Sequence, residues 1–401
     1  MQYRLDKKTG NKLSVLGFGS LRFPKKFGTT DLQKTEPLVM RAIEGGVNYF
    51  DAGYFYFGSE EVLGTIFERN KIREKVHFAT KMPLVLVRGP EDFDKFFNKQ
   101  LERIRSNYID YYLIHMLPDI ESWKNLCKWG IEDWIREKKR QGAIRSMGFS
   151  FHGRQNEFLS LIDAYDWDFC QIQYNYSDEN FQAGVTGLKK ASAKGMPVMI
   201  MEPLLGGKLV GGLSPKAVDI FKQANPDWSP AGWGFRWLWN QKEVTVTLSG
   251  MTDISQIEEN LKAADTAAPG LLSQADMEVY GRVQEEFKSA YKVLCTGCNY
   301  CMPCPQQVNI PACFAAYNIS YTMGRLTGIQ NYIFSNVLVD SKEFGGAGLC
   351  IKCGACEKKC SQNIPIIKTL QAVRKRLEPP WVKWPMLFFG GLFKKFGGRK
   401  A

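Results

Sequence analysis

Eight short apolar runs, each leading into a segment of helical periodicity, fill the first 290 residues of this 401-residue chain. The runs cover 16–19, 47–51, 76–80, 109–115, 144–150, 169–174, 197–202 and 244–250. They are rich in Val, Ile, Phe and Tyr and are bounded by polar or glycine-rich stretches, which predicts strands. Helix-like segments lie between them, among them 32–44, 91–106, 123–140, 184–194 and 230–240. Strict alternation of strand and helix requires a parallel sheet with helical crossovers. Eight such units in this length predict a (β/α)8 TIM barrel. A doubly wound open sheet is the competing architecture, but no G-x-G-x-x-G follows a strand here, so a Rossmann site has no support. Residues 3–5 and 12–15, joined by Lys8-Thr9-Gly10-Asn11, predict a hairpin capping the bottom of the barrel.

In a TIM barrel the chemistry sits where the strands end. The second, third and fourth strands end at Asp51, Lys81 and His115, and Tyr56 follows Asp51 in the next loop. These four make a coherent proton-transfer set. Tyrosine alone, with a pKa of about 10, is a poor acid at neutral pH. A nearby ammonium favours the phenolate and eases proton donation to a developing alkoxide. The carboxylate can hold the lysine in place, and the histidine can orient a substrate oxygen.

Asp51, Tyr56, Lys81 and His115 resemble the Asp-Tyr-Lys-His tetrad of the aldo-keto reductases, in the family's order and on its strands. Neighbouring segments carry the same resemblance: Leu16-Gly-Phe-Gly-Ser-Leu-Arg-Phe-Pro24, Ser59-Glu60-Glu61-Val-Leu-Gly64, Gly142-Ala-Ile-Arg-Ser-Met-Gly-Phe-Ser150, and Ser249-Gly-Met through Asn260. The likeness spans roughly the first 265–290 residues. It implies NAD(P)H bound across the C-terminal mouth and reduction of an aldehyde or ketone, with Tyr56 as proton donor. It further implies contacts of Ser150 and Gln171 with the nicotinamide amide, of Glu259 and Asn260 with adenine, and of Ser249 and Gly250 with the adenosine phosphate. Gln256 stands where NADPH-preferring relatives often carry arginine, and 250–259 holds no basic residue. Glu202 or Met201 falls where many members stack a tyrosine on the nicotinamide.

Other polar and aromatic residues have structural readings beside functional ones. His152 is a substrate-side contact or a structural residue, and His77 opens a strand at the wrong end of the barrel. Trp233, Trp237 and Trp239 follow a helical pattern and read as packing. Among Trp123, Trp129 and Trp134, in the insertion after His115, helix packing competes with a place in the pocket.

Near residue 290 the composition changes. Nine of the 11 cysteines lie beyond it, as do 15 Lys and Arg against 4 Asp and Glu, nearly all of the net +12. The N-terminus has no basic stretch followed by an apolar run, so no signal peptide is expected, and no membrane span is long enough. In the cytoplasmic location this implies, cysteine density points to metal before disulfides. The expected domains are a barrel over 1–290, a metal-binding module over 291–378 and a basic, aromatic tail over 379–401.

The module opens with Cys295-x2-Cys298-x2-Cys301-x2-Cys304-Pro305. A second block follows: Cys350-x2-Cys353-x2-Cys356-x3-Cys360. Four cysteines so closely spaced wrap a [4Fe–4S] cubane, whereas zinc sites pair two C-x2-C units across a longer gap. Both blocks run on into Gln-x-x-Asn-Ile-Pro or Gln-Asn-Ile-Pro, as a duplicated half-module would. Ser361 replaces the proline expected after the fourth cysteine. The region resembles two-cluster, mainly helical ferredoxin modules, with 310–339 read as helical. The resemblance implies two [4Fe–4S] clusters: one on Cys295, Cys298, Cys301 and Cys360, the other on Cys350, Cys353, Cys356 and Cys304. Cys313 reads as a buried apolar residue.

The positive excess either offsets the thiolate charge or docks an acidic electron-transfer protein; no nucleic-acid partner is expected. The tail either packs on the protein or contacts a membrane surface. A hydride moves two electrons and a cubane one, and no flavin site is visible to join them. Two readings therefore stand: a carbonyl reductase with structural or regulatory clusters, or an electron-transfer protein whose clusters pass current to a ferredoxin-like or membrane partner.

Overall fold

The structure, a computed structural model, describes residues 1–333, 335–336 and 345–379. The predicted tail from residue 380 onward lies outside them. Two compact units are present. The first joins Met1–Leu204 to Asn225–Met277, and the second joins Leu205–Ala224 to the described residues from Glu278 onward.

The first unit is a closed barrel of eight parallel strands. They are β1 (Leu16–Gly19), β2 (Tyr49–Asp51), β3 (His77–Met82), β4 (Ile109–Ile114), β5 (Ile144–Phe151), β6 (Phe169–Gln173), β7 (Val198–Met201) and β8 (Val246–Ser249). Each pairs with its neighbours in chain order, and β8 closes on β1 through Thr247↔Leu16 and Ser249↔Phe18. Leu13, Tyr49, Ala79, Tyr111, Phe169, Met199 and Val246 fill the interior, so the barrel is a packed core. The hairpin Tyr3–Leu5/Lys12–Ser14 forms as predicted. Its turn meets the interior, where Asn11 Nδ2 donates to the Tyr111 hydroxyl (3.2 Å) and that hydroxyl donates to Asp6 (2.8 Å). His77 lies at the same end, its ring edge-on to Tyr111.

Helix starts follow local chemistry. Asp31 accepts from the backbone of Gln33 and Lys34 to cap Leu32–Glu44, and Asp253 caps Ile254–Asp265. The predicted helix over 123–140 is two helices, Ile120–Lys128 and Ile131–Arg140, because Gly130 turns left-handed at φ 80°. Trp123 packs on Trp167, Trp134 packs on Phe93 and Phe97, and Trp129 is partly exposed. Trp233, Trp237 and Trp239 are buried on the helix Pro230–Trp239.

The second unit is helical. The segment read as helical over 310–339 holds two helices among its described residues: Ile310–Thr322 ends, Gly324 turns at φ 94°, and Arg325–Ile333 follows. Residues 337–339 lie outside the described part. With Ile366–Leu377 these helices enclose an apolar core of Phe314, Tyr317, Ile329, Tyr332, Leu370 and Val373, against which Cys295, Cys301, Cys304, Cys350, Cys356 and Cys360 pack.

The two cysteine blocks share one backbone path. Gly297 (φ 69°) and Lys352 (φ 62°) precede the second cysteine of each block, while Asn299 (φ 64°) and Gly354 (φ 77°) follow it. Gln307 (φ 58°) and Asn363 (φ 51°) sit three residues past the fourth. A helix then starts at Ile310 or Ile366 from matching caps, Asn309 (φ −78°, ψ 79°) and Pro365 (φ −71°, ψ 76°). The excursion Leu205–Ala224 is fastened within this unit. Tyr291 donates to the Gly212 carbonyl (2.8 Å), Phe221 meets Tyr280, and Lys216 pairs with Glu286.

Candidate functional site

The carboxyl ends of β2, β3 and β4 bring the four predicted polar residues together. Asp51 is the last residue of β2, Lys81 lies within β3, and His115 directly follows β4. Lys81 Nζ donates to Asp51 Oδ1 (2.6 Å), Asp51 Oδ2 (2.6 Å) and the Ala52 carbonyl (2.5 Å). The same nitrogen lies 4.9 Å from the centre of the Tyr56 ring. Tyr56 also meets the His115 ring edge-on at 6.1 Å. Tyr56 is brought there by a tight turn in which its N–H donates to the Gly53 carbonyl (2.8 Å). A side chain at Gly53 would press into the Tyr56 ring at 3.2 Å.

Asp51, Lys81 and His115 are all buried. Burial lowers the Lys81 pKa and raises that of Asp51, while their mutual attraction opposes both shifts. Burial, then the charge of Lys81, then His152 push His115 well below the ordinary histidine value, so its ring is neutral. His152 itself faces Gln182, with Nδ1 3.4 Å from Nε2.

A second set of buried polar residues stiffens β3 and was not singled out in the sequence. Glu60 accepts from Thr80 Oγ1 (2.5 Å), Gln100 Nε2 (2.5 Å) and Arg103 Nη1 (2.9 Å). Gln100 also donates to the Lys81 carbonyl (3.2 Å). Gln100 and Arg103 lie three apart on Glu91–Ile104, a spacing that puts them on one helix face. That was the available signal.

The predicted cofactor contacts lie on the ends of later strands. Ser150, near the end of β5, accepts from the Met116 N–H (2.8 Å). Gln171 on β6 donates to Met201 Sδ (3.7 Å), while its Oε1 is buried with no hydrogen-bond partner among the described residues. Ser249 ends β8 and accepts from Asn260 Nδ2 (3.2 Å). A Cβ at Gly250 would meet the aliphatic stem of Arg22, in the turn after β1, at 3.2 Å. Gln256 accepts from the Thr252 N–H (2.9 Å), and Ser229 donates to Glu259. Glu202, just past β7, takes a left-handed turn at φ 53°, and its carbonyl accepts from Asn175. The rim of the mouth carries exposed Phe27, Phe57 and Val85.

In the second unit the thiols of Cys298 and Cys360 both act on those of Cys295 and Cys301, although Cys360 belongs to the later block. Cys298 Sγ lies 3.6 Å from Ser361 Oγ, a contact between the blocks. Cys350 influences Cys356, and Cys304 influences Cys313. Burial raises the thiols of Cys295, Cys356 and Cys360 and pushes Cys301 up to about 12, so thiolates there need a cation beside them. Among the described residues no three His, Cys, Asp or Glu side chains converge as a site for a single metal ion. Cys313 is fully buried in the helical core, where its thiol lies 3.9 Å from the Tyr332 hydroxyl, 3.7 Å from Asn336 Oδ1 and 3.8 Å from the Gly345 carbonyl.

Comparison with known proteins agrees with this architecture. The aldo/keto reductase family pattern matches residues 15–270, and a 4Fe-4S dicluster domain matches 294–364. L-galactose dehydrogenase of Arabidopsis thaliana is 25% identical over 296 residues, covering 64% of this chain and 85% of that protein. NADH-specific methylglyoxal reductase of Escherichia coli is 22% identical over 329 residues, covering 68% and 95%. An aldo-keto reductase from Klebsiella pneumoniae, solved with NADPH, superposes with a TM-score of 0.59 at 19% identity, covering 71% of this chain and 95% of that one. One from Bacillus halodurans gives 0.57 at 20% identity, covering 71% and 96%. The chain therefore belongs to the aldo/keto reductase family, an NAD(P)-dependent oxidoreductase with a barrel fused to a C-terminal 4Fe-4S dicluster domain.

Proposed function

We propose that the barrel reduces an aldehyde or ketone at the expense of NAD(P)H, with Tyr56 giving the proton to the carbonyl oxygen. One observation carries the reading: a lysine held by three oxygens, buried beneath a tyrosine ring, with a neutral histidine edge-on to that ring. NAD(P)H supplies the hydride. His115, neutral, holds the carbonyl oxygen through one ring N–H without competing for a proton. As the proton leaves Tyr56, the Lys81 charge stabilises the phenolate, and Asp51 keeps Lys81 in place. Gln171 Oε1, buried and without a partner among the described residues, fits the amide N–H of a nicotinamide. Ser150, whose oxygen already accepts from Met116, retains its O–H to donate beside it. Ser249 and Gly250 then line the phosphate, and Gln256, Glu259 and Asn260 the adenine side.

The relatives include one named NADH-specific and one solved with NADPH. In this chain 250–259 carries no Lys or Arg, which favours weak discrimination or a preference for NADH. The second unit would hold one cubane on Cys295, Cys298, Cys301 and Cys360 and another on Cys350, Cys353, Cys356 and Cys304, each able to store one electron. The cytoplasm suits such a protein, because thiolate ligands stay reduced there. No helix among the described residues is long and apolar enough to cross a membrane.

Replacing Tyr56 with Phe tests the assignment. The variant should bind NADH and NADPH as the parent does, by fluorescence titration, while carbonyl turnover falls by about 10²–10⁴-fold. Turnover near the parental value would remove Tyr56 from its role.

A further inference from the structure

The two cysteine blocks share a backbone path yet differ sharply in charge. Residues 293–324, the whole of the first loop and its helix, contain no Lys, Arg, Asp or Glu. The second loop carries Lys352, Lys358 and Lys359, all exposed. Its one acid, Glu357, accepts a bond from the Ile367 N–H (2.8 Å), which ties it to the start of the following helix. Two cubanes of one type carry the same charge. Yet Lys352, Lys358 and Lys359 all stand on one loop and in solvent, while the first loop carries no cation of its own. The cation beside the first block instead comes from the excursion, where Lys208 lies 5.3 Å from the Tyr291 ring and acts on Cys295.

The second loop also differs in exposure. Cys353 is the exposed member of the eight cluster cysteines. Around it Ile351 is 61% and Leu349 39% exposed. An exposed ligand, two uncovered aliphatic side chains and three lysines within eleven residues form a small apolar contact with a basic rim. Electron-transfer encounters need little more: they are small, charge-steered and short-lived.

We propose that the loop 349–359 is the docking face for an acidic protein carrying a one-electron centre, which exchanges electrons with the cluster ligated through Cys353. The proposal rests on the reading of the second block as a cluster site. The step is a single electron passing from the reduced carrier to the oxidised cubane. The carrier is oxidised, the cluster is reduced, and no bond or proton moves. Charge complementarity selects an acidic partner, and the exposed Cys353 marks where the electron enters.

The test uses the full, iron-loaded chain and a small acidic [2Fe–2S] ferredoxin, reduced beforehand, with transfer followed by stopped flow. The parental rate should fall steeply as ionic strength rises. Lys352→Glu, Lys358→Glu and Lys359→Glu together should slow transfer at least tenfold at low salt and abolish or invert that salt dependence. Iron content and the dithionite-reduced cluster signal should stay as in the parent. Parental transfer that ignores salt would overturn the docking face, whether or not the variant folds. So would a variant that keeps its iron and accepts electrons at the parental rate. Dimers that Ile351→Ser disperses would give the loop to a second copy of the chain instead. A parent without iron or any dithionite-reducible signal would sink the cluster reading and this proposal with it, an outcome told apart by the iron measurement alone.

Discussion

Lys81 is gripped by two carboxylate oxygens and a carbonyl and is buried, so its loss strands a buried charge. Lys81→Met should destabilise the barrel by about 3–5 kcal/mol, because Asp51 is left ionised in a low-dielectric site or must take up a proton. The double variant Asp51→Asn with Lys81→Met should recover much of that stability while remaining inactive, as urea unfolding beside a turnover assay will show. Equal losses in the single and double variants would mean that the lysine stem, not the ion pair, holds the site together. At this scale the site was legible to an uneven degree. Asp51, Lys81 and His115 could be read because strand ends are visible as the close of apolar runs. The Glu60 network escaped notice because its members, Thr80, Gln100 and Arg103, come from a strand and a helix whose contact no local pattern records. Arg22 was likewise invisible, since only folding lays it on Gly250.

The half-modules are the informative elements of the second unit. Their left-handed residues fall at matching places, which makes the blocks two copies of one loop. Cys298 Sγ lies 3.6 Å from Ser361 Oγ, which brings the neighbour of Cys360 against the first block. That crossing has a measurable signature. Cys298→Ser and Cys360→Ser belong to the same cluster if the ligands cross, so each single variant and their double should hold about four irons where the parent holds about eight. With uncrossed ligands the double would lose both clusters, and iron analysis distinguishes the two. The spacing of the cysteines was plain in the sequence, and so was the repeat downstream of them. The helix breaks at Gly130 and Gly324 were not, because an isolated glycine costs a helix only about 1 kcal/mol and packing decides whether the chain continues or turns. Lys352 and Gln307 in left-handed conformations carry no sequence signal of the kind that glycine and asparagine give.

In the molecule as a whole, composition marks the shift in cysteine and charge near residue 290 but bears no trace of the excursion Leu205–Ala224, whose residues are ordinary for a helical loop. The partners of that excursion, Tyr280, Glu286 and Tyr291, all lie past Met277. A chain ended after Met277 should therefore melt at a lower temperature than one ended after Lys292, and it should aggregate on heating. Identical melting curves would show that the excursion stands without these contacts. The interruption also sets an order of events during synthesis. The barrel cannot close before β8 has left the ribosome, and by then the excursion has already emerged without the residues that cover it. At about 5–20 residues per second, Ile220 and Phe221 wait roughly 3–12 seconds for Tyr280, the ring that Phe221 meets, to appear. Both side chains are buried in the finished protein, so for that interval the nascent chain displays a greasy surface that a chaperone would recognise.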